Sequence, residues 1–421
     1  MPLAKPLVIF LFHRDLRVAD NLALAAAVAA AKAAGGSLLP LFVFTPEQVS
    51  AKNEFRSMHS IQFMLESLES LSAALDEKLM VAEGDTMAVI ESIALVRTVQ
   101  AIYETRDYTP YARKRESTLR MWAMAREIAY EAIDDTYLTV PGTILNKQGR
   151  PFQKFTPYWT AASAKPVAHP SAAPPGLKGL LAAAPKIDGA ASLQSIRRRL
   201  LPNPSDTLHV HGGRENALKL LAELPRDYND THNTPSVQTS NLSAHHHYGT
   251  VSIRETYWAA HGAKGLVEFV RQLYWRDFYG HITASFESLY GESPYEFTGK
   301  GPWKKDAAAR ADFKRWCEGN TGHRLVDAGM KQLLTTGFIH NRVRLVVANY
   351  LVKDLKVYWR WGEKFFAQHL VDYDFAQNFG NWCWVASVLP FSQAPFRRMD
   401  PEATEKRFDP QGTYIKTWLS A

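Results

Sequence analysis

Apolar residues appear first as unbroken runs and later as helical stripes. Leu7–Phe12 (LVIFLF) and Leu38–Phe44 are continuous apolar stretches rich in β-formers. Such runs mark strands buried on both faces, as in a parallel sheet. Between them, Asn21–Ala34 is alanine-rich and stops at Gly35–Gly36, which predicts a helix. Ile61–Leu75 carries apolar residues at helical spacing. Leu79–Val81, Ala101–Tyr103 and Tyr137–Val140 are further short strand candidates, with helical segments between them. Strands alternating with helices predict a doubly wound parallel sheet, an α/β domain over residues 1–140.

The pattern then changes. Lys165–Pro185 holds Pro166, Pro170, Pro174, Pro175 and Pro185 among Ala and Gly, so residues 141–205 read as a linker. From residue 206 to 421 strand patterns vanish. Val267–Tyr279, Leu325–Leu334, Arg342–Leu355 and Gly362–His369 are amphipathic at helical spacing. The expected architecture is an N-terminal α/β domain, a linker and an all-α C-terminal domain. No internal repeat is visible.

Composition narrows the class. Hydrophobic residues make up 46% and charged residues 22%, which excludes a disordered or collagen-like chain. No stretch approaches the ~20 apolar residues of a membrane span. Met1–Pro6 leads straight into the first strand, so no signal peptide is expected. Two cysteines, Cys317 and Cys383, exclude a disulfide framework or a four-Cys zinc site and fit a reducing, intracellular compartment. The net charge of +7 favours an acidic partner such as nucleic acid. Eight of the 11 Trp lie after residue 270, which suits a large helical core or a surface on which flat rings stack.

Common catalytic motifs are missing. There is no Walker A loop, no GxGxxG after the first strand, no HExxH and no GxSxG. The sheet domain is therefore not read as an ordinary dinucleotide binder. His245, His246 and His247 point about 100° apart on a helix, so no metal site is expected from them. Thr239, Ser240, Asn241, Leu242 and Ser243 precede a helical segment and suit either an anion or plain N-capping. Gln272, Trp275, Arg276 and Tyr279 fall at i, i+3, i+4 and i+7, which places an amide, an indole, a guanidinium and a phenol on one helical face. Asn341 and Arg344 share another face, with Arg342 turned away. Asp372, Asp374 and Asn378 follow, and Trp382 and Trp384 bracket Cys383. Two acids and an Asn near an Arg suit a polar ring ligand or a buried ion-pair network.

Together these segments resemble one family. FHRDLRVADN (Phe12–Asn21), TSNLSAHHHYGTVSIR (Thr239–Arg254), QLYWRDFYGH (Gln272–His281), HNRVR (His340–Arg344), VKDL (Val352–Leu355) and DYDFAQNFGNWCW (Asp372–Trp384) are similar, in unchanged order, to the signatures of the photolyase/cryptochrome family. The nearest class is its cyclobutane-dimer photolyases. The resemblance implies an α/β antenna domain and a helical domain that binds FAD non-covalently. It places Tyr228 and Thr239–Ser243 at the FAD phosphates and ribityl chain, and Arg344, Asp372, Tyr373, Asp374 and Asn378 at the flavin ring. An antenna chromophore of the folate or deazaflavin type is a further possibility, with Tyr103–Arg115 beside its pocket. Trp382, Trp359 and Trp303 match the tryptophan chain that carries an electron to photoexcited flavin, with Trp361 a competing station.

The resemblance also implies the partner and the reaction. Gln272, Trp275, Arg276, Tyr279, Asn341, Arg342, Trp384 and Arg397 would form the face that receives a flipped pyrimidine dimer from damaged DNA, with the chain acting as a monomer. Excited reduced FAD would pass an electron to the dimer, the dimer would split, and the electron would return. Gln272, Asn341 and Asn378 would be the catalytic side chains. Gln272 departs from the family pattern, because cyclobutane-dimer enzymes usually carry Glu there. Gln is common in (6-4) photolyases, yet those carry His where this chain has Asn341 and Leu345. A cryptochrome-type photoreceptor is the other alternative; Asn378 argues for repair, since plant cryptochromes tend to carry Asp there and animal ones often Cys.

Overall fold

A computed structural model of the protein describes residues 5–286, 303–388, 392–394 and 397–420. Its first part is a sheet of order β5-β4-β1-β2-β3-β6. The strands are β1 (Leu7–Leu11), β2 (Ser37–Phe44), β3 (Met80–Glu83), β4 (Val99–Thr105), β5 (Ala129–Ile133) and β6 (Ala190–Ala191). β1 to β5 run parallel, and β6 joins β3 antiparallel. The apolar runs form the centre because both faces of β1 are covered. Val8 and Phe10 enter one core, and Leu7, Ile9 and Leu11 enter the other. The parallel strands are joined through helices such as Leu22–Ala33 and Met58–Ala74.

One strand lies elsewhere than expected. Tyr137–Val140 is not a strand; the fifth parallel strand is Ala129–Ile133. β5 is an edge strand whose exposed Ala129 and Glu131 hide its pattern. The Tyr137–Val140 segment satisfies its backbone on a helix instead of a neighbouring strand. Leu138 N and Thr139 N donate to the Asp277 carboxylate at 3.3 and 2.8 Å.

Residues 141–205 contribute to both halves. Phe155–Ser163 packs on the helical core through Phe155 and Tyr158, Ala190–Ala191 completes the sheet, and Leu193–Leu200 packs on it through Ile196. Ser171 N donates to Asp20 at 2.9 Å, and Ala182 N to Leu38 O at 2.8 Å.

The second half is helical. Val267–Ser285, Arg324–Thr336, Asn341–Asn349, Trp359–His369 and Phe375–Ala386 surround a core that includes Trp316 and Trp359, both fully buried. Asn341–Asn349 continues into a wider π turn over Tyr350–Asp354. Among the described residues no helix is long and apolar enough to cross a membrane.

The two halves meet at the carboxyl ends of β1 and β4. Leu16 N donates to Tyr248 O at 2.9 Å, and Arg17 to Gly249 O at 3.2 Å. Gly249 has φ +64, and a Cβ there would lie 2.2 Å from Arg14 O, so only glycine permits this approach. Beside it, Arg254 bonds Asp20 at 3.0 Å and Asp135 at 2.6 Å, while Arg17 pairs with Asp135.

Candidate functional site

Three helices and one loop converge on a pocket. Asn341, Arg344 and Leu345 come from one helix, Phe366 from the second, and Asn378 and Trp382 from the third. Asp372 and Asp374, in the loop before the third helix, complete the wall. The local sequence explains the convergence. Asp374 caps the third helix, its Oδ1 accepting from Gln377 N at 3.0 Å. Asn378 and Trp382 follow at four-residue steps and share one face.

The charges in the pocket are paired. Arg344 donates to Asp372 at 3.0 Å and to Ile339 O at 3.0 Å. Asp374 receives Arg14, from the turn after β1, and lies 3.4 Å from His247 Nδ1. Burial alone would raise the Asp374 carboxyl, but Arg14 and His247 outweigh it and hold it well below the usual carboxylate range. Burial and the neighbouring Arg342 and Arg344 push His340 down to about 4, so its imidazole is neutral at pH 7. Asn378 Nδ2 donates to Glu363 O at 3.1 Å, which fixes the amide.

This donor set fits a flavin ring. Carboxylate acceptors, guanidinium and amide donors and apolar Phe366, Leu370 and Val385 stand around one space, as a planar heterocycle with imide and carbonyl edges requires. Beyond it, Asn241 Oδ1 bonds His209 Nε2 at 3.0 Å. His209 stacks on Phe338 with centroids 4.0 Å apart, and the Arg344 guanidinium lies 5.6 Å from that ring. The Thr239–Ser243 segment is thereby tied to the Arg344 wall of the pocket. Leu242 stands at the N-cap of the Ser243–Tyr248 helix with no side-chain cap, so plain capping does not account for this segment.

Other expected residues are placed as follows. Tyr228 is buried against Phe269 and stacks on His232. Tyr373 does not line the pocket; it stacks on Phe55 of the sheet domain at 6.4 Å. Asn341 lines the pocket and is exposed, whereas Arg342, Trp384 and Arg397 are not among its lining residues: Arg342 binds Asn233 and lies over Phe408, and Arg397 lies 5.5 Å from the Trp384 ring. Trp275 stacks on Phe155 at 3.6 Å and 7°, and Gln272 is half-buried one turn before it.

Two members of the expected DNA face lie elsewhere. Arg276 donates to Thr136 O at 2.7 Å and His246 O at 3.2 Å, and sits 4.6 Å from the Tyr137 ring; it joins the two domains. Tyr279 is 5% exposed, packs against Gly380 and bonds Asn381 at 3.1 Å. The 272–279 stripe advances about 10 Å along its helix at 1.5 Å per residue, far enough to meet different neighbours at its two ends.

The three histidines diverge: His245 bonds Thr250, His246 bonds Thr256 and His247 faces Asp374. The tryptophans form two aromatic series. Trp303 lies 6.2 Å from Tyr358, Tyr358 6.5 Å from Trp359, and Trp359 6.1 Å from Phe379. Trp382 lies 6.4 Å from Trp316, Trp316 5.7 Å from Phe313, and Phe313 5.5 Å from Trp361.

The sequence alone points to no role for Arg14, Phe155 or Trp316. Arg14 stood within the first motif, next to buried Asp15. Phe155 had no local signal, because its role comes from a partner 120 positions away.

Comparison with known proteins agrees with this geometry. The family model "DNA photolyase" matches residues 8–175, and "FAD binding domain of DNA photolyase" matches residues 269–421. The chain is 32% identical to the deoxyribodipyrimidine photo-lyase of a Synechococcus strain over 98% of its length and 87% of the relative's. It is 29% identical to Cryptochrome-2 of Arabidopsis thaliana, over 97% of this chain and 69% of that one. The crystal structure of an archaeal photolyase from Sulfolobus tokodaii with two FAD molecules matches with a TM-score of 0.84 at 32% identity, covering 98% of this chain and 90% of the other.

Proposed function

The chain belongs to the photolyase/cryptochrome family and carries its FAD-binding domain, and from this premise we propose that it is a light-driven enzyme that splits cyclobutane pyrimidine dimers in DNA. The observation that carries this reading is the continuity of one pocket from its rim to its floor. Exposed Asn341 stands at the opening, and Asn378 and buried Trp382 stand within the same space.

When bound, reduced FAD would supply the light-excited electron that opens the dimer, with no net redox change. The chain's own residues hold the partners. Trp275, backed by Phe155, and Trp384, beside Arg397, offer flat apolar walls to flipped bases. Stacking worth about 1–3 kcal/mol per base offsets the few kcal/mol that flipping costs. Arg342 and Arg397 bind the flanking phosphates, which makes affinity fall with salt. Gln272 hydrogen-bonds the base edges and transfers no proton, since an amide donates N–H but is a poor acid. Asp372 and Asp374 would accept from the ring of the bound cofactor, and Arg344 and Asn378 would orient it.

Gln272 is also the residue that favours a second reading, repair of (6-4) products. That chemistry wants a proton donor at the lesion. His340 is buried and neutral, and Asn341 and Leu345 occupy the neighbouring positions. The test is repair of each lesion under blue light with FAD fully reduced. Repair of dimers alone is expected. Repair of (6-4) products alone, or of neither lesion, overturns the proposal; the latter outcome with light-dependent binding to a protein partner favours a photoreceptor.

A further inference from the structure

We propose that Arg14 is a positioning residue of the flavin site, so that the sheet domain supplies the cation that orients the Asp374 carboxylate and compensates its charge. The inference rests on the placement of the flavin ring against Asp374 given above.

Three observations carry it. First, the Arg14 guanidinium is committed on every side: Nη2 donates to Asp374 Oδ2, Nε to His247 O at 3.2 Å, and Nη1 lies 3.6 Å from the Asp107 carboxylate. Its side chain is 15% exposed and that of Asp374 is 7%, so water does little to screen the pair. Second, the two oxygens of Asp374 have different tasks. Oδ1 caps the Phe375–Ala386 helix, while Oδ2 faces Arg14 and His247. Fixing Oδ2 therefore fixes the start of the helix that brings Asn378 and Trp382 to the pocket. Third, the two helical-domain arginines nearest this wall, Arg344 and Arg276, make their direct bonds to other groups, and Arg276 acts on Asp374 only through its field. Arg344 pairs with Asp372, and Arg276 binds the carbonyls of Thr136 and His246. The direct cation partner of Asp374 is contributed across the domain boundary.

The pair sets the field at the ring. With Arg14 in place, the negative charge of Asp374 is compensated within hydrogen-bond distance. Without it, an ionised Asp374 presents uncompensated negative charge to a ring that becomes more negative on reduction. The reduced cofactor is then disfavoured.

The test uses the FAD-loaded protein at pH 8 and reads the flavin midpoint potential, the fine structure of its absorption band and the FAD dissociation rate. Arg14→Gln is expected to move the potential to more negative values and to speed FAD release about tenfold, the change that one lost charge-assisted bond produces. Arg14→Lys, which keeps the charge but not the fork, is expected to restore the potential and only part of the retention. Arg254→Gln removes another ion pair at the same domain boundary and is expected to lower thermal stability without moving the potential. In an Asp374→Asn background, Arg14→Gln should cause no further shift. An unchanged potential in Arg14→Gln overturns the proposal, as does an equal shift in Arg254→Gln. If Asp374→Asn itself leaves potential and spectrum unchanged, the flavin placement fails, and the inference with it.

Discussion

Gly362 lies against the Trp382 indole so closely that a Cβ at this position would sit 2.3 Å from Trp382 Cη2 and 2.5 Å from Leu351 Cδ2. The absent methyl group is what lets the Trp359–His369 helix approach the pocket tryptophan. Trp382 lines the same pocket as Asn378 and is also in contact with Trp316, so the aromatic series that runs through Trp316 and Phe313 to Trp361 reaches the pocket at this residue.

Trp382→Phe is therefore expected to abolish most light-driven reduction of oxidised FAD while FAD remains bound. Phenylalanine keeps most of the packing volume but is much harder to oxidise. Protein reduced chemically beforehand should repair DNA as well as wild type. Loss of flavin absorbance under blue light with an external reductant checks this, and an unchanged rate in the variant would refute the assignment.

Gly362→Ala tests the same contact by crowding it. Alanine gains about 1 kcal/mol of helix propensity over glycine. Overpacking typically costs about 1–3 kcal/mol, and here two side chains must move. A lower Tm and slower photoreduction are expected together. A variant more stable than wild type would mean that the Trp382 ring yields freely.

Substitution of Gln272 is expected to separate the two lesions. With cyclobutane dimers as substrate, Gln272→Glu should keep or raise repair per absorbed photon. Gln272→Ala should lose more, because a base edge left unpaired in a buried site costs about 1–3 kcal/mol. Quantum yields on both lesions with FAD fully reduced are the measurement, and dimer repair that survives Ala but not Glu contradicts the hydrogen-bonding role.

Asp277 imposes a pH dependence on stability. Burial pushes its carboxyl up to about 7, against 3.8 unperturbed, although Arg276 and the Thr139 and Leu138 amides favour the anion. Between these values the folded state holds a proton that the unfolded chain has released. The contribution is complete below pH 4 and is lost as pH rises to 7, by at most about 1.4 kcal/mol per pH unit. Asp277→Asn mimics the protonated form and should remove this slope. Urea unfolding at pH 5 and pH 8 checks it: the variant should gain on wild type at the higher pH, and parallel behaviour would contradict the assignment.

The sequence made the sheet readable where strands are buried on both faces. Leu7–Phe12 and Leu38–Phe44 have no other use for a continuous apolar run. β5 escaped because an edge strand with Ala129 and Glu131 exposed has almost no pattern to read. Tyr137–Val140 has strand composition but finds its backbone partner in Asp277, which no local rule anticipates. In the site, the loop-and-helix spacing of Asp372, Asp374, Asn378 and Trp382 is local, and the structure brings all four to one pocket. The 272–279 face is legible as a face, yet its neighbours are not: Arg276 and Tyr279, expected on the lesion-binding face, join domains and helices instead. Arg14 and Phe155 act on residues 360 and 120 positions away. Such pairings exist only once the chain has folded.

The character of the domain boundary bears on how the chain is made. Arg17, Asp20 and Asp135 belong to the part synthesised first, whereas Ser252 and Arg254, which cover them, follow more than 110 residues after Asp135. Until that later segment leaves the ribosome, this patch of the sheet domain carries hydrated charge rather than bare hydrocarbon. An early-folding half that waits with charges in water has less tendency to aggregate than one that waits with an apolar face exposed. Desolvation of the charges is deferred to the moment when their partners arrive, so this part of the boundary cannot close before Arg254 has been made.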